Sequence, residues 1–502
     1  MTGASSGHSE RIPVLNPATG DELCVVDSAS PSDVVKAVVN AEDVYKAGQW
    51  SRSPAVYRSR ILSNIARALE SRVPDLARIE TLQTGRTIRE MNAQLRRLPE
   101  WLDYYAALLR THEATVAPTQ GKLLNYVQRI PLGVVAQITP FNHPLLIALK
   151  KIAPAVAAGN SVIVKPSELA PITLLEFAAL AEEAGLPAGV LSVLPGRGAT
   201  VGNELVSHPS IRKVDITAGT STGRALGGIV GRNLASYTAE LGGKAPIVVF
   251  DDAHIDNAVN GAAFASFIAS GQTCVSGTRI IVQAGIYNEF LDRFLEKTES
   301  VRRRMGDPLN PASSMGTVIS VHHLSRIEAM VRRFKATGNG QILTGGERLG
   351  GNSVLDGFQF EQGAFFPPTV ISDVEVEDEL WREEVFGPVV VVKRFGSEDE
   401  GIALANNSKY GLGAGIWTSD LSRAHRVAAD IEAGVVWVNT HHRNDPSSPW
   451  GGMKESGIGR ENGVEAFHAY SQSKSTIINI ASTEESARTD DWFSEAGAAR
   501  YG

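Results

Sequence analysis

The sequence predicts an α/β protein with a doubly wound, Rossmann-like domain and a second α/β domain. Three observations carry this. Apolar strand-like and helix-like runs alternate between residues 133 and 250, the order expected of parallel βαβ units. A chain of 502 residues, 43% hydrophobic and 21% charged, is long enough to bury more than one core. A third sign is the run ASFIASGQTCVSGTR, which sets Cys274 on a short polar turn between an apolar helix-like stretch and a β-branched strand.

Composition narrows the function classes. Net charge is −7 with interleaved signs and no basic block, so neither nucleic acid nor an anionic lipid surface is an expected partner. The two cysteines, Cys24 in the run ELCVVD and Cys274, give no disulfide framework, which points to a reducing, cytoplasmic setting. No apolar stretch approaches the roughly 20 residues needed to cross a bilayer, and no metal site is expected. The opening MTGASSGHSE lacks a hydrophobic signal core and reads as a loose polar terminus.

In chain order, Asn16-Pro17-Ala18-Thr19-Gly20 between two β-rich runs predicts a hairpin over residues 14–26. Ser32 and Asp33 after Pro31 offer cap chemistry for a helix, and apolar spacing predicts further helices over 56–69, 73–84 and 95–109, all scaffold. Alternation in LLNYVQR (123–129) predicts an extended ribbon strand, ended by Pro131-Leu132-Gly133. The strands VVAQIT, NSVIVKP, VLSVLPG, KVDIT and APIVVF follow. Ligands of such sheets bind beyond the carboxyl ends of the strands. One of those ends delivers Lys165, Ser167 and Glu168, a cation and an anion suited to ribose or phosphate, or simply a solvated pair. Another, Thr217-Ala218-Gly219-Thr220-Ser221-Thr222-Gly223, opens a helix through small residues whose amides can face a pyrophosphate, though it is not G-x-G-x-x-G.

A second domain begins near Ala245, with amphipathic helices over 287–303 and 321–336 and a loop-rich stretch 338–363. ELWREEVFGPVVVV sets Glu384 and Phe386 beside a Gly-Pro turn. A strand and long loop over 434–459 carry His441, His442, Arg443 and Trp450, and a polar tail with Trp492 and Phe493 closes the chain. Small and polar neighbours leave Cys274 open to a carbonyl substrate, and a cysteine nucleophile needs a base such as Glu240.

Glu240 in AELGGKAP and Cys274 in GQTC, in this order and spacing, make the chain resemble the hydrolytic NAD(P)-dependent aldehyde dehydrogenase superfamily over residues 11–480. The resemblance implies a cofactor domain of residues 1–122 and 132–244, a catalytic domain 245–465, oligomerisation strands 123–131 and 466–482, and a tail 483–502. It implies a homodimer or homotetramer. Cys274 would attack the aldehyde, NAD would accept hydride, and Glu240 would activate water against the resulting thioester. Asn142 in TPFNHP, with the Cys274 N–H, would form the oxyanion hole. Thr139, Pro140, Phe141, Leu241, Gly242, Glu384 and Phe386 would join Lys165, Ser167, Glu168, Thr217, Gly219, Thr220 and Gly223 around the cofactor. NAD is expected over NADP because Glu168 would repel a 2′-phosphate.

Two departures fall in the phosphate region: Ala218-Gly219 where the family usually has Gly-Ser, and Phe141 where it usually has tryptophan. Lys151 with Glu461 matches a proton relay. Lys150 lies where many relatives carry an aromatic residue and succinic-semialdehyde-type relatives carry arginine, so with His442 and Arg443 it implies an aldehyde bearing a carboxylate or aromatic hydroxyl. Trp450 in PWGG instead resembles betaine- and aminoaldehyde-type enzymes. A CoA-acylating semialdehyde dehydrogenase and an inactive structural homologue are the remaining alternatives.

Overall fold

A computed structural model of the protein describes residues 10–493 and residue 495; the first nine residues of the terminus read as loose and polar lie outside them. The doubly wound sheet has six strands in the order Gly457–Ile458, Ser236–Glu240, Ile211–Thr217, Val134–Ile138, Ser161–Lys165 and Leu191–Val193. All pair in parallel except the edge strand Gly457–Ile458. The chain starts at Val134–Ile138, winds outward to Leu191–Val193, then returns to the other flank at Ile211–Thr217. The switch point therefore lies where Thr139 and Thr217 end adjacent strands, the place such sheets leave a crevice for ligands.

The run APIVVF departs from its expected sheet. Pro246–Val249 is a central strand of a second, seven-stranded sheet, ordered Gln341–Thr344, Thr369–Ser372, Val389–Phe395, Arg279–Gln283, Pro246–Val249, Gly413–Trp417 and Val435–Val438. Only Gln341–Thr344, within the stretch expected to be loop, is antiparallel. A run buried on both faces looks the same in either sheet, so composition does not assign it. The strand Gly457–Ile458 likewise returns to the first sheet from the segment ascribed to the catalytic domain, pairing with Glu240 itself. A three-stranded antiparallel ribbon joins Thr115–Ala117, Leu123–Pro131 and Ser471–Asn479, in register from Ser471 opposite Pro131 to Asn479 opposite Leu123.

Several helix boundaries shift for identifiable reasons. The first helix, Pro31–Ala47, is capped by Ser30 rather than by Ser32, with Asp33 completing a capping box and Pro31 in the first turn. One helix, Ala55–Thr84, runs through Pro74, because Leu69, Val73, Leu76 and Ala77 form a continuous buried stripe. The stretch 95–109 is broken: Ile88–Leu95 ends before Pro99, which opens Pro99–Thr111. The tail contains a short helix, Thr483–Thr489, capped by Ser482. Trp492 is half-exposed and Phe493 exposed.

Every residue of helix Pro144–Ala158 is buried, Lys150 and Lys151 included. Asn160, just after it, is fully buried; its Oδ1 accepts from the amides of Leu132 and Gly133, and its Nδ2 donates to the carbonyls of Ala155 and Tyr470. This one amide ties the helix to the ends of two of the ribbon's strands, Leu123–Pro131 and Ser471–Asn479. No helix among the described residues is long and apolar enough to cross a membrane.

Candidate active site

A cavity of about 380 Å³ opens at the switch point, lined on one side by Thr139, Phe141, Lys165, Glu168 and Gly219 and on the other by Cys274, Glu384 and Phe386. Pro140, Asn142, Ser167, Thr217, Leu241 and Gly242 complete the expected set. Two predicted residues do not face it. Gly223 sits one turn into helix Thr220–Arg232, where an added Cβ would lie 2.4 Å from Leu241 Cδ2, so its role is close packing. Thr220 Oγ1 donates to the Glu455 carbonyl at 3.3 Å.

The wall fits a dinucleotide. Thr139 Oγ1 and Thr217 Oγ1 are buried without a hydrogen-bond partner among the described residues, at the ends of the two switch-point strands. Lys165 Nζ lies 3.1 Å from Glu168 Oε2, an anion and a cation at ribose spacing. Burial lowers Lys165 and opposes Glu168, which raises it. Across the cavity Glu384 Oε1 accepts from the Gly243 amide at 3.0 Å, while burial pushes its carboxyl up to about 7. Phe386 holds a left-handed backbone, φ 55°, which is strained for an aromatic residue.

Sequence reasoning missed what holds that turn. His323 Nε2 donates to the Phe386 carbonyl at 2.7 Å, and Arg326 donates to that of Val385 at 2.7 Å. Both stand on helix Val321–Thr337, and their side chains also line the cavity. Phe141 packs edge-on to Phe386 at 5.8 Å between centroids, where a tryptophan N–H would otherwise have been available.

Cys274 is half-buried at the cavity's inner end. The chain reaches it through a left-handed stretch, Ala269, Ser270 and Gly271, with φ of 53°, 55° and 71°. At Gly271 an added Cβ would meet the Gly387 carbonyl at 2.2 Å, and at Gly243 one would meet the Cys274 carbonyl at 2.1 Å, so only glycine permits both approaches. Asn142 Nδ2 donates one N–H to the Gln272 carbonyl at 2.8 Å, which fixes its amide beside the cysteine turn and leaves its second N–H for another acceptor. Burial raises Cys274 to about 12; Lys150 opposes this, while Glu384, Glu240 and Glu461 add to it. The resting sulfur is a thiol.

Glu240 ends strand Ser236–Glu240, and neither carboxylate oxygen has a hydrogen-bond partner among the described residues. Burial, then the charge of Glu461, raises it well above the usual carboxylate range. Behind it, Glu461 binds Lys151 through one oxygen and Lys150 through the other, the latter at 2.6 Å, and Lys151 also contacts Asp215. Burial alone would raise Glu461, yet Lys150 and Lys151 bring it down to about 2.

Lys150 corrects an expectation. It neither reaches solvent nor offers a free charge to substrate: it is 4% exposed, paired with Glu461, and its Nζ stands 4.4 Å from the centroid of Trp450. Arg443 is exposed and shares with Arg97, Trp437 and Trp450 the wall of an open cavity of about 530 Å³. His442, φ 53°, lines a separate cavity of about 220 Å³ with Arg86, Gln94 and Phe264. Burial, aided by His441, lowers His442 to about 3, so it is neutral. His441 turns inward and donates Nε2–H to the Val275 carbonyl at 2.7 Å.

The profile of the aldehyde dehydrogenase family matches residues 4–476, and the chain belongs to that family. It is 39% identical to PnpE from Pseudomonas sp. WBC-3 (TM-score 0.89, 94% of this chain and 95% of that one), a protein also solved in complex with nicotinamide adenine dinucleotide. It is 34% identical to betaine aldehyde dehydrogenase from Staphylococcus aureus solved with NAD+ (TM-score 0.92, 97% and 94%). It is also 34% identical to the P. syringae indole-3-acetaldehyde dehydrogenase AldA (TM-score 0.90, 94% of each chain).

The Cys274 environment sets a testable reactivity. Because burial raises the thiol, the thiolate fraction grows with pH, and iodoacetamide labelling of the Cys274 peptide in cofactor-free protein should climb from about pH 7 to 10 without a plateau. Lys150→Met removes the cation that favours the thiolate while Lys151 still pairs Glu461, so labelling should slow at each pH. A plateau below pH 8, or faster labelling in the variant, contradicts this.

Proposed function

We propose that the protein is an NAD-dependent, hydrolytic aldehyde dehydrogenase whose substrate carries a carboxylate or an aromatic hydroxyl group. The observation that carries the activity is the convergence of the Cys274 thiol and the anchored Asn142 amide on one cavity, with Glu240 buried and its carboxylate oxygens unpartnered among the described residues. Bound at the switch-point cavity, NAD supplies the two-electron acceptor. Cys274 gives up its proton to solvent and adds to the aldehyde carbon, the developing oxyanion takes the free N–H of Asn142 and the Cys274 amide, and loss of hydride to NAD would leave a thioester for water to cleave into acid and free thiol. Glu240, after losing its own proton, is the base that accepts a proton from the hydrolytic water, and Glu461 stays an anion between its two lysines. Glu240 is also the reason to set aside acyl transfer to CoA.

Glu168 beside Lys165 supports NAD over NADP, since its carboxylate suits ribose hydroxyls and repels a 2′-phosphate. Lys150 over Trp450 supports the substrate class: the aromatic face that would hold a trimethylammonium group already holds the protein's own cation. Arg97, Arg443, His442 and Asn444 supply hydrogen-bond donors around the outer cavities. The apolar side chains Leu123, Leu124, Ile477 and Ile478 exposed on the ribbon support a homodimer or homotetramer, because an uncovered edge of this kind favours pairing.

An NADH-release panel over aliphatic, aromatic, carboxylate-bearing and trimethylammonium aldehydes tests the reading. Carboxylate-bearing or hydroxyaryl aldehydes should give the highest kcat/KM, NAD should outperform NADP, and Cys274→Ala should be inactive. Betaine aldehyde as the best substrate would refute the substrate class, and an active Cys274→Ala would refute the mechanism. In sedimentation at micromolar concentration the protein should run as a dimer or tetramer; a monomer alone would refute the assembly.

A further inference from the structure

The turn bearing Asn142 is clamped from behind by a buried polar cluster that the proposed chemistry does not use. Arg86, 3% exposed, donates Nε to Glu90 Oε2 at 3.0 Å and Nη1 to the Asn142 carbonyl at 3.2 Å. The same Nη1 lies 2.7 Å from His143 Nδ1, and Gln94 Nε2 lies 2.8 Å from that nitrogen. Neither an arginine nor an amide nitrogen can accept, so Nδ1 is the acceptor for both and the ring proton resides on Nε2. That leaves Nε2–H to donate to Thr273 Oγ1, 3.1 Å away and one residue before Cys274. Burial, reinforced by the charges of Arg86 and Lys150, lowers His143 well below its ordinary value, which keeps this tautomer neutral.

The cluster reaches the cysteine turn twice. Glu90, paired with Arg86, also accepts from the Ala269 amide through its other oxygen at 3.4 Å, at the start of the left-handed stretch. His143 reaches its end at Thr273. Between these two ties stands the third, from Asn142 Nδ2 to the Gln272 carbonyl. One imidazole, adjacent in sequence to Asn142 and hydrogen-bonded to the neighbour of Cys274, therefore spans the two chain segments whose separation decides where an oxyanion would meet its donors.

We propose that His143, oriented by Arg86 and Gln94, is a positioning residue that sets the distance between the Asn142 amide and the Cys274 turn and so tunes oxyanion stabilisation. The proposal rests on the function proposed above, in which Asn142 is an oxyanion donor. His143 lines neither the cavity at Cys274 nor the one beside His442. Its effect is confined to the step in which negative charge develops on oxygen, where misplacement of a donor by about 1 Å costs on the order of 10²-fold in rate.

The test compares His143→Phe, His143→Gln, Asn142→Ala and the double variant His143→Phe/Asn142→Ala, with steady-state kinetics, iodoacetamide labelling of Cys274 and thermal midpoints. His143→Phe keeps ring volume but removes both nitrogens, and should lower kcat by roughly 10- to 100-fold with KM for aldehyde little changed. Labelling of Cys274, which develops no oxyanion, should stay within about twofold of wild type. His143→Gln retains an acceptor for Arg86 and a donor for Thr273 and should recover most of kcat. In the Asn142→Ala background the phenylalanine should add little further loss, since the amide it misplaces is gone. Wild-type kcat in His143→Phe, losses that multiply in the double variant, a glutamine variant as impaired as the phenylalanine one, or labelling that falls in step with kcat would each overturn the positioning role. A wild-type protein that oxidises no aldehyde would refute the proposed function and this proposal with it.

Discussion

Glu461 is the carboxylate on which the site's architecture depends. Two consecutive lysines lie on a helix with no exposed residue, and burying ammonium groups there is costly without partners. Glu461 gives one oxygen to each, Asp215 shares Lys151, and Tyr470 donates its hydroxyl to Asp215 at 2.6 Å. The same residue exchanges backbone hydrogen bonds with Trp450, closing a loop whose strand Gly457–Ile458 lies against Ser236–Glu240. The charge cluster thereby fixes Trp450 under Lys150 and seats Gly451, where an added Cβ would lie 2.9 Å from Glu240 Oε1, against the proposed base. Removing one member of such a cluster typically costs on the order of 3–5 kcal/mol, since the others are left buried and unpaired.

Around that fixed anion the two groups proposed to react are both shifted upward: burial raises the Cys274 thiol and the Glu240 carboxyl, and Glu461 adds its repulsion to each. Lys150 acts in the opposite sense on both. A resting site of this kind protects the sulfur from ionising without substrate and reserves a dry carboxylate for the step that needs a base. The lysine, seated on an aromatic ring where a cationic substrate would otherwise sit, links this electrostatic balance to substrate choice.

Much of this was legible in the sequence. GQTC, AELGGKAP and TPFNHP are legible through the family resemblance that their order and spacing carry, which implies the roles of Cys274, Glu240 and Asn142. The strand ends at Lys165 and Thr217 were readable from the alternation of apolar strands and helices. What was not readable depends on partners far away in the chain. Lys150 reads as a pocket cation until Glu461, more than three hundred residues later, is seen to hold it. His323 and Arg326 carry no motif, since their work is to brace two backbone carbonyls of another segment. APIVVF changed sheets because an apolar run records burial but not which strands it pairs with.

Glu240, buried and unpartnered among the described residues, is the proposed base that clears an acyl group from Cys274. Intact-mass and peptide-mass measurement on Glu240→Gln, mixed with NAD and a substrate aldehyde, tests it most directly. The account predicts an acyl adduct, the aldehyde less one hydrogen, accumulating on the Cys274 peptide while steady-state turnover falls. Wild-type turnover with no accumulated adduct, or an adduct on a peptide lacking Cys274, would contradict it.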